Sequence, residues 1–352
     1  MACYTRPVVD LALFDYSLPP ALIAQDPVEP RDASRLLVLD RPSGAWADRS
    51  FAELPALLRP GDCLVVNRSR VLPARLLGAL EPDGAAAELL LLRPLSATGW
   101  EALARPARRC RVGVAVRLGD GVRARIVGAG ERGLRRVEVE APWPVREVLE
   151  RFGLPPLPPY IDRHEAPEPE DRERYQTVYA RDDGSVAAPT AGLHFTHALL
   201  AALAAGGVEV HGLTLHVGPA TFRPVTGRGG EAERLPPEEV DVPAETAAAV
   251  GRARREGRRV VAVGTTTTRA LEWAADPSGG VRPGRGAADL FIRPGHAFRV
   301  VDALVTNFHL PRSTLLVLVC AFAGREPTLA AYAHAVRAGY RFYSYGDAML
   351  VG

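Results

Sequence analysis

The chain has 352 residues, of which 47% are hydrophobic and 24% charged, a composition typical of a globular protein with room for about two domains. Its net charge is only +2, which excludes a general polycation, and all of its basic charge is carried by Arg, because the sequence contains no Lys. The lack of Lys excludes a lysine Schiff base and a P-loop lysine.

Sequence features that bear on cellular location and on metals are also sparse. No apolar run reaches the ~18–20 residues of a membrane span. The N-terminal stretch carries Asp10 and Asp15 and lacks the apolar core of a signal peptide. The four cysteines are scattered without a CxxC pair, which argues against a disulfide framework and a zinc site. We therefore expect a cytoplasmic protein with no membrane partner and no bound metal.

The first 72 residues alternate between strand-like and helical patterns. Residues 34–40 and the continuous apolar run 63–66 predict strands, and residues 51–58 predict a short helix between them. Arg70 follows the second strand closely. Because α/β sheets bind ligands at the carboxyl ends of their strands, Arg70 is a candidate binding residue.

The pattern changes from about residue 73 to residue 144. Short alternating segments separated by Gly and Asp predict a small antiparallel β-barrel. Within it, residues 105–136 contain ten Arg against only Asp120 and Glu131. Such a patch is able to contact a phosphate backbone, and it is equally consistent with Arg on the solvent face of strands. Arg108, Arg109 and Arg111 are the candidate RNA contacts.

Residues 175–196 differ most from a segment with a purely structural role. Tyr175 and Gln176 open a polar stretch, which passes into small residues around Pro189 and then reaches His194. Small residues and a Pro fix the backbone and let a ligand approach closely. Thr196 is well placed to cap a helix over residues 197–205. The stretch predicts either a ligand site or a tight turn before a helix.

A strand is predicted over residues 208–217. Its apolar positions change phase at Gly212, which predicts a β-bulge there. His216 then falls on the face opposite Leu215 and Val217, where a surface histidine is the simpler interpretation.

A helix over residues 244–256 and a buried strand over 259–263 lead into a run of four threonines, residues 265–268. A glycine, four hydroxyls and the free N–H groups of the following helix form a good cradle for an anion. Threonines that only cap the helix are the alternative.

The last third combines strands, predicted over residues 291–294 and 302–306, with a polar loop over 306–313. Ser313 or Thr314 caps an apolar helix to residue 323, and Thr328 caps a second helix. The aromatic end, residues 340–347, is suited to stacking a base, or equally to forming the edge of a core.

Several of these stretches together resemble one known family, the S-adenosylmethionine:tRNA ribosyltransferase-isomerases of queuosine biosynthesis. They span nearly the whole chain and occur in the family's order. The matching runs are FDYSLPPALIAQDPVEPRDASRLLVLDR, GDCLVVNRSRVLPARL, PLPPYI, YQTVYARDDGSVAAPTAGLHFT, LTLHVGPATFRPV, VGTTTTRALE, FIRPGHAFRVVDALVTNFHLPRSTLLVLVCAFAG and YRFYSYGDAML.

The resemblance implies a fold and a reaction. The fold is a larger α/β domain, residues 1–72 and 154–352, interrupted by a small antiparallel β-barrel, residues 73–153. The aminomethyl group of a 7-deazaguanine at the wobble position of tRNA attacks the ribosyl part of S-adenosylmethionine. Adenine and methionine leave, and epoxyqueuosine-tRNA forms. S-adenosylmethionine is then a co-substrate, tRNA is bound at its anticodon region, no other cofactor is needed, and we expect a monomer.

The reaction defines the groups that its site must hold. The sulfonium acidifies the adjacent C5′–H, so a general base is needed there, and the methionine carboxylate needs an anion cradle. The candidate catalytic residues by motif are His194, His216, Glu238, His309 and Asp347. Candidates for binding the co-substrate are Thr190, Gly192, Thr265, Thr266, Thr267, Thr268, Arg269, Asn307 and Ser313. Candidates for binding the tRNA are Tyr175, Gln176, Arg70, Arg108, Arg109 and Arg111.

Two positions depart from the family pattern. Pro236 stands where the family has a His two residues before the retained Glu238, and Ala220 stands where it has a Gly. These changes keep two alternatives open. One is a paralogue that uses S-adenosylmethionine on an amine other than tRNA, and the other is a non-catalytic RNA-binding homologue.

Overall fold

The structure, a computed structural model, describes residues 9–163, 170–218, 231–232 and 236–352. The described strands are β1 (Val9–Asp10), β2 (Arg35–Leu39), β3 (Trp46–Ser50), β4 (Cys63–Asn67), β5 (Ser69–Val71), β6 (Arg75–Leu80), β7 (Ala86–Pro94), β8 (Gly99–Arg105), β9 (Ala115–Gly119), β10 (Val122–Ala129), β11 (Leu134–Glu140), β12 (Gly153–Leu154), β13 (Asp182–Ser185), β14 (Glu209–Leu215), β15 (Glu231–Ala232), β16 (Glu238–Val242), β17 (Val260–Val263), β18 (Gly284–Ala288), β19 (Ala303–Asn307) and β20 (Ala348–Val351). The α-helices are α1 (Leu54–Leu57), α2 (Val145–Phe152), α3 (Asp171–Arg174), α4 (His197–Ala205), α5 (Ala244–Arg255), α6 (Thr265–Ala274), α7 (Thr314–Ala323) and α8 (Arg325–Arg337).

A mixed sheet forms the body of the fold, in the strand order β18-β16-β14-β4-β17-β19-β20-β2-β3. Its central strands are buried on both faces, because successive residues alternate between two hydrophobic clusters. In β17, Val260 and Ala262 pack with α5 to α8 on one face, whereas Val261 and Val263 pack with α1 and α4 on the other. The continuous apolar runs of the sequence follow from this double burial.

Four neighbouring strands of this sheet, β14, β4, β17 and β19, run parallel. Their carboxyl ends therefore meet at one edge of the sheet. That edge is where open α/β sheets bind ligands, and it positions the site described below.

The inserted barrel has a hydrophobic core of its own. Its strands pair antiparallel in the order β6-β7-β8-β11-β10-β9, and a further pairing of β6 with β9 closes the barrel. Its buried side chains, such as Leu89, Trp100 and Ile126, form one cluster of their own. The predicted fold class, an α/β domain with an inserted antiparallel barrel, is confirmed. The domain boundaries stay a prediction, and β12 crosses the expected one at 153/154 while pairing with β6.

Several local predictions were wrong. Residues 291–294 form no strand, and Thr328 lies inside α8, whose N-cap is Gly324. The bulge at Gly212 is also absent, because β14 pairs with β4 without a register shift from Glu209 to Leu213. The apparent phase change arises because Val210 is exposed rather than buried.

Within the described residues, no single helix has the length and apolar character to cross a membrane. Only α7 and α8 taken together are long and apolar enough, and the two helices are bent by 116° at their junction.

Candidate active site

A cleft lies at the carboxyl edge of the parallel strands, the place where α/β sheets bind ligands. Three segments that leave these strands reach it: Val217 after β14, Gly264 to Thr266 after β17, and Asn307 at the end of β19. The lining residues, here called the cleft, are Tyr160, Tyr175, Ala187, Ala188, Pro189, Thr190, Ala191, Val217, Gly264, Thr265, Thr266, Thr306, Asn307, His309, Leu315, Tyr343 and Ser344.

The threonine run enters the cleft only in part. Gly264 adopts φ 92°, a left-handed value that favours glycine, and it turns the chain from β17 into α6. Thr265 and Thr266 then face the cleft. The hydroxyls of Thr267 and Thr268 instead donate to the carbonyl oxygens of Val263 at 2.6 Å and Gly264 at 3.1 Å, at the junction of β17 and α6. Only half of the predicted cradle is therefore open to a ligand.

His194 is buried beside the cleft and is reached through Asn307. The Asn307 amide nitrogen donates to the carbonyl oxygen of Tyr343 at 3.0 Å, which fixes its orientation, and it also donates to Nε2 of His194 at 3.2 Å. Nε2 is thus the acceptor of the ring, and Nδ1–H donates to Oγ of Ser34 at 2.8 Å. Burial, with smaller contributions from Arg341 and Arg31, lowers the pKa of His194 to about 3. The imidazole is neutral at pH 7.

The same orientation leaves one acceptor of Asn307 unused. Its Oδ1 atom is buried and has no hydrogen-bond partner among the described residues. Since Asn307 lines the cleft, this oxygen is available to a donor on a bound ligand.

A second neutral imidazole, that of His309, lines the cleft directly. Its Nε2 atom lies 2.9 Å from Oγ1 of Thr306, and its backbone N–H donates to the hydroxyl of Tyr332 at 3.1 Å. Burial lowers the pKa of His309 to about 3. The fold thus brings two of the histidines selected by motif, His194 and His309, to the same edge of the sheet. His309 lines the cleft, whereas His194 is joined to it only through its hydrogen bond with Asn307.

Aromatic side chains form one wall of the cleft. The rings of Tyr160 and Tyr343 meet edge to face with centroids 4.0 Å apart, and the hydroxyl of Tyr160 is hydrogen-bonded to Ser344. Tyr175 is fully buried beside them. For the C-terminal aromatics the sequence predicted either stacking of a base or the edge of a core, and it gave no signal for Tyr160, which lies far away in the run PLPPYI.

A smaller pocket adjoins the cleft and shares Ser344 with it. His194, Ser34 and three arginines, Arg31, Arg174 and Arg341, line this arginine pocket. None of these residues except His194 was a candidate. The polar segment 31–34 before β2 was a usable signal, but its partners are more than a hundred residues away in sequence.

The two candidate carboxylates already have partners. Glu238 is buried, forms an ion pair with Arg269, and accepts from the backbone N–H of Gly218 at 2.9 Å. Arg269 itself donates to the carbonyl oxygens of Ala288 and Leu290, each at 3.2 Å, and does not line the cleft. Asp347 accepts from the backbone N–H groups of Arg35 at 3.0 Å and Arg341 at 2.8 Å.

Three other candidate binding residues make contacts within the protein that account for their positions without a ligand. A Cβ on Gly192 would lie 2.1 Å from the hydroxyl of Tyr179, so the close approach there is made by a tyrosine. The Gln176 amide exchanges hydrogen bonds with the backbone of Val71 at 3.1 and 2.7 Å. Ser313 caps α7 by accepting from Leu316 N–H at 3.2 Å.

His216 lies apart from the other two histidines and does not line the cleft. Its ring packs on Gly184, and its Nδ1 atom is buried without a partner among the described residues. Burial lowers its pKa, and Glu239 and Asp182 oppose that shift. Among the described residues there is no group of three or more His, Cys, Asp and Glu side chains able to hold a metal ion.

The barrel arginines lie on its surface. Arg108, Arg109 and Arg111 occupy the exposed segment between β8 and β9, where Arg109 pairs with Asp83. Arg123 and Arg125 pair with Glu140. Half-exposed Arg70 lines a further pocket where the barrel joins the sheet, together with Tyr175 and Gln176.

Comparison with known proteins gives near-full-length matches. A family model described as "Queuosine biosynthesis protein" matches residues 11–351. The chain is 54% identical over 342 residues to the S-adenosylmethionine:tRNA ribosyltransferase-isomerase of Symbiobacterium thermophilum, covering 97% of this chain and 99% of that protein. A protein of the same name from a Methylobacterium species is 52% identical over 353 residues, with 96% and 97% covered. The crystal structure of the S-adenosylmethionine tRNA ribosyltransferase from Thermotoga maritima matches with a TM-score of 0.55 and 38% identity, covering 97% of this chain and all of that one.

Proposed function

Because the chain belongs to the queuosine biosynthesis protein family, we propose that it transfers and isomerises the ribosyl moiety of S-adenosylmethionine onto the aminomethyl group of 7-aminomethyl-7-deazaguanine in tRNA. The reaction releases adenine and methionine and leaves epoxyqueuosine in the tRNA. The chain is thus an enzyme, an S-adenosylmethionine-dependent tRNA ribosyltransferase-isomerase. Near-full-length similarity to proteins named for this activity carries the proposal.

The substrates follow from this reaction. S-adenosylmethionine is the co-substrate, and tRNA is the acceptor. We propose further that the acceptor base lies in the anticodon region, that the enzyme acts as a monomer in the cytoplasm, where tRNA is found, and that the chemistry requires no metal. The exposed arginines of the barrel support a partner with a phosphate backbone.

The cleft supports binding of the adenosyl part. Tyr160 and Tyr343 offer aromatic surface for a purine. The unpartnered Oδ1 of Asn307 is suited to accept from the exocyclic amine of adenine. The free N–H groups at the start of α6, beside Thr265 and Thr266, supply further donors for ribose oxygens or ring nitrogens.

We assign proton abstraction at C5′ to His194. The sulfonium acidifies that C–H bond, and a neutral imidazole with a defined lone pair is able to take the proton. Burial keeps His194 neutral, and the contact of Nδ1–H with Ser34 leaves Nε2 as the basic atom. Substrate would have to displace Asn307 from Nε2 for this step. His309, also neutral and in the cleft, is the second candidate.

Glu238 and Asp347 are proposed to position other groups rather than to exchange protons. Glu238 holds Arg269 and the backbone of Gly218, which follows the cleft residue Val217. Asp347 fixes the turn that carries Arg341. His216 has no part in this assignment because it does not line the cleft.

The departures from the family pattern do not favour another reaction. Pro236 is exposed, and Ala220 lies outside the described residues. The tRNA reaction is favoured over an amine other than tRNA, because relatives named for tRNA match nearly the whole chain. The retained His194 and Asn307 favour it over a non-catalytic RNA-binding homologue.

Mass spectrometry of the modified nucleoside tests the proposal. Purified protein, S-adenosylmethionine and tRNA carrying the aminomethyl-deazaguanine are incubated, and the tRNA is digested to nucleosides. We expect conversion to epoxyqueuosine, and the His194→Ala variant should lower the rate by about 10²–10⁴-fold. An unchanged base with wild-type protein would contradict the function. Intact turnover in His194→Ala would contradict only the role of His194.

A further inference from the structure

We propose that the arginine pocket binds the carboxylate of S-adenosylmethionine, so that the co-substrate spans both cavities with its adenosyl end in the cleft and its methionyl end between Arg31, Arg174 and Arg341. This rests on the proposed function and names the place of one substrate group within it. It also replaces the threonine run after β17 as the expected cradle for that carboxylate.

The first support is the charge of the pocket. Three guanidinium groups line it, and none of the described residues lining it carries a carboxylate. Arg31 donates to the backbone carbonyl oxygens of Gln176 at 2.8 Å, Glu173 at 3.0 Å and Leu193 at 3.3 Å. Among the described residues Arg31 has no ion pair within 4.0 Å, and the charge of Glu173 acts on it only from farther away, so its positive charge is only partly offset.

The other two arginines are also held by backbone carbonyls. Arg174 donates to the carbonyl oxygen of Val28 at 2.6 Å, and its Nε atom is buried without a partner among the described residues. Its carboxylate partner, Glu29, is 71% exposed to water, which weakens that pair. A buried Nε–H without an acceptor is the kind of group that a bound carboxylate satisfies.

Arg341 is partly offset by a neighbouring carboxylate. Its guanidinium donates to the carbonyl oxygens of Asp26 at 3.0 Å and Tyr345 at 2.9 Å, and Asp347 lies 3.9 Å from its Nε atom. The Asp347 carboxylate already accepts from two backbone N–H groups. The pocket therefore keeps an excess of positive charge with guanidinium groups held in place, the arrangement that recognises carboxylates.

The second support is the connection between the two cavities. Ser344 lines both, and the hydrogen bond between His194 in the arginine pocket and Asn307 in the cleft joins them. A ligand that occupies both must pass this junction with its middle part. In S-adenosylmethionine the middle part is the sulfonium and C5′. The acidic C5′–H then lies beside Nε2 of His194.

A consequence for His194 follows from the same charges. Burial lowers the pKa of His194 most, and the positive charges of Arg341 and Arg31 lower it further. A carboxylate bound between these arginines offsets their charge and makes His194 a better base once the co-substrate has bound. The threonine run lacks such charges, and two of its four hydroxyls already donate to the carbonyl oxygens of Val263 and Gly264.

Binding measurements with two ligands test the proposal. Dissociation constants of the full chain are measured by calorimetry for S-adenosylmethionine and for decarboxylated S-adenosylmethionine, which lacks only the carboxylate. We expect the wild type to prefer the carboxylate-bearing ligand by about 10–100-fold, as for a hydrogen-bonded charged group. Arg174→Gln and Arg341→Gln should each remove most of this preference while leaving the affinity for the decarboxylated ligand within about twofold. The matched control Arg325→Gln removes a surface arginine that pairs with Glu326 and should change neither constant.

The decarboxylated ligand also reports whether each variant is folded. If one arginine variant loses affinity for both ligands and unfolds at a lower temperature, its fold is damaged, and the other variant then tests whether the pocket binds the carboxylate. A full preference that persists in both variants, or that is lost in Thr265→Val instead, would overturn the proposal. Loss of tRNA binding in the arginine variants with the preference intact would assign the pocket to an RNA phosphate and also overturn it. Wild-type protein that binds no S-adenosylmethionine at all would contradict the proposed function itself.

Discussion

The side-chain amide nitrogen of Asn307 lies 3.2 Å from Nε2 of His194 and 3.0 Å from the carbonyl oxygen of Tyr343. A single donor group thus fixes both the tautomer of a buried histidine and the orientation of its own amide. Because Nε2 accepts, His194 is held neutral, and the remaining oxygen of Asn307 is free for a ligand in the cleft. The hydrogen bond joins β19 to the 3₁₀ helix Thr190–His194, which precedes α4.

The buried histidines predict a loss of stability in acid. The pKa of His194 and of His309 is lowered to about 3 by burial, so the unfolded chain binds protons that the folded chain does not. The contribution of these histidines to the free energy of unfolding is therefore complete above about pH 6.5. As the pH drops towards 3, that free energy falls by about 1.4 kcal/mol per pH unit for each of the two histidines. Urea unfolding at pH 7.5 and 5.0 measures this loss. Between pH 7.5 and 5.0, His194→Gln should lose about 2 kcal/mol less of its unfolding free energy than the wild type, and an equal loss in both would contradict the account.

Removing the buried carboxylate of Glu238 should destabilise the fold. Glu238→Gln leaves the guanidinium of Arg269, which is 5% exposed, without its counter-charge, and we expect the free energy of unfolding to fall by about 3–5 kcal/mol. Urea unfolding checks this. The neighbouring exposed Glu239→Gln is the control and should stay within about 0.5 kcal/mol. A Glu238→Gln variant of full stability that has lost turnover would instead place the carboxylate in the chemistry.

Arg108, Arg109 and Arg111 should contribute to tRNA affinity through charge. Replacing all three by Gln should weaken binding at low salt and reduce the slope of log affinity against log salt by about 2–3. Filter binding across a salt series measures both. The control variant, Arg123→Gln with Arg125→Gln, removes two barrel arginines that both pair with Glu140. Its effect for each charge removed should be smaller, because among the described residues only Arg109 of the first set has an ion pair, with Asp83. Equal losses for each charge removed would show that only net charge matters.

Gly192 should be required by Tyr179 rather than by a ligand. Gly192→Ala places a methyl group 2.1 Å from the Tyr179 hydroxyl, so we expect a loss of about 1–3 kcal/mol in unfolding free energy. Tyr179→Phe removes that hydroxyl, which has no partner among the described residues, and should recover part of the loss in the double variant. Gly206→Ala, where a Cβ meets atoms only at 3.4 Å, is the control. If Tyr179→Phe recovers none of the loss, the Tyr179 hydroxyl is not what requires glycine at position 192.

The elements that sequence predicted best are those whose pattern is local. The apolar runs of β4 and β17 and the capped helix α4 were predicted correctly, because double burial and a Thr196 cap leave their mark on neighbouring residues. The barrel was recognisable from its short alternating strands. Its closure between β6 and β9 is a long-range pairing and had no local signal.

The site was predicted only in part, for the same reason. The histidines and Asn307 stood out by motif. Which threonines of α6 face the cleft depends on helix rotation, and a run of identical residues does not reveal that. Ser34 contacts His194, and Arg31 contacts the adjacent Leu193, each across more than 150 residues of sequence, so only the folded chain brings them together.

Release of adenine, followed by liquid chromatography, tests the central claim most directly. Wild-type protein is mixed with S-adenosylmethionine alone, with unmodified tRNA, and with tRNA carrying 7-aminomethyl-7-deazaguanine. The account predicts that adenine appears only in the third mixture, in amounts equal to the modified tRNA consumed. Binding of S-adenosylmethionine without adenine release in that mixture would contradict it.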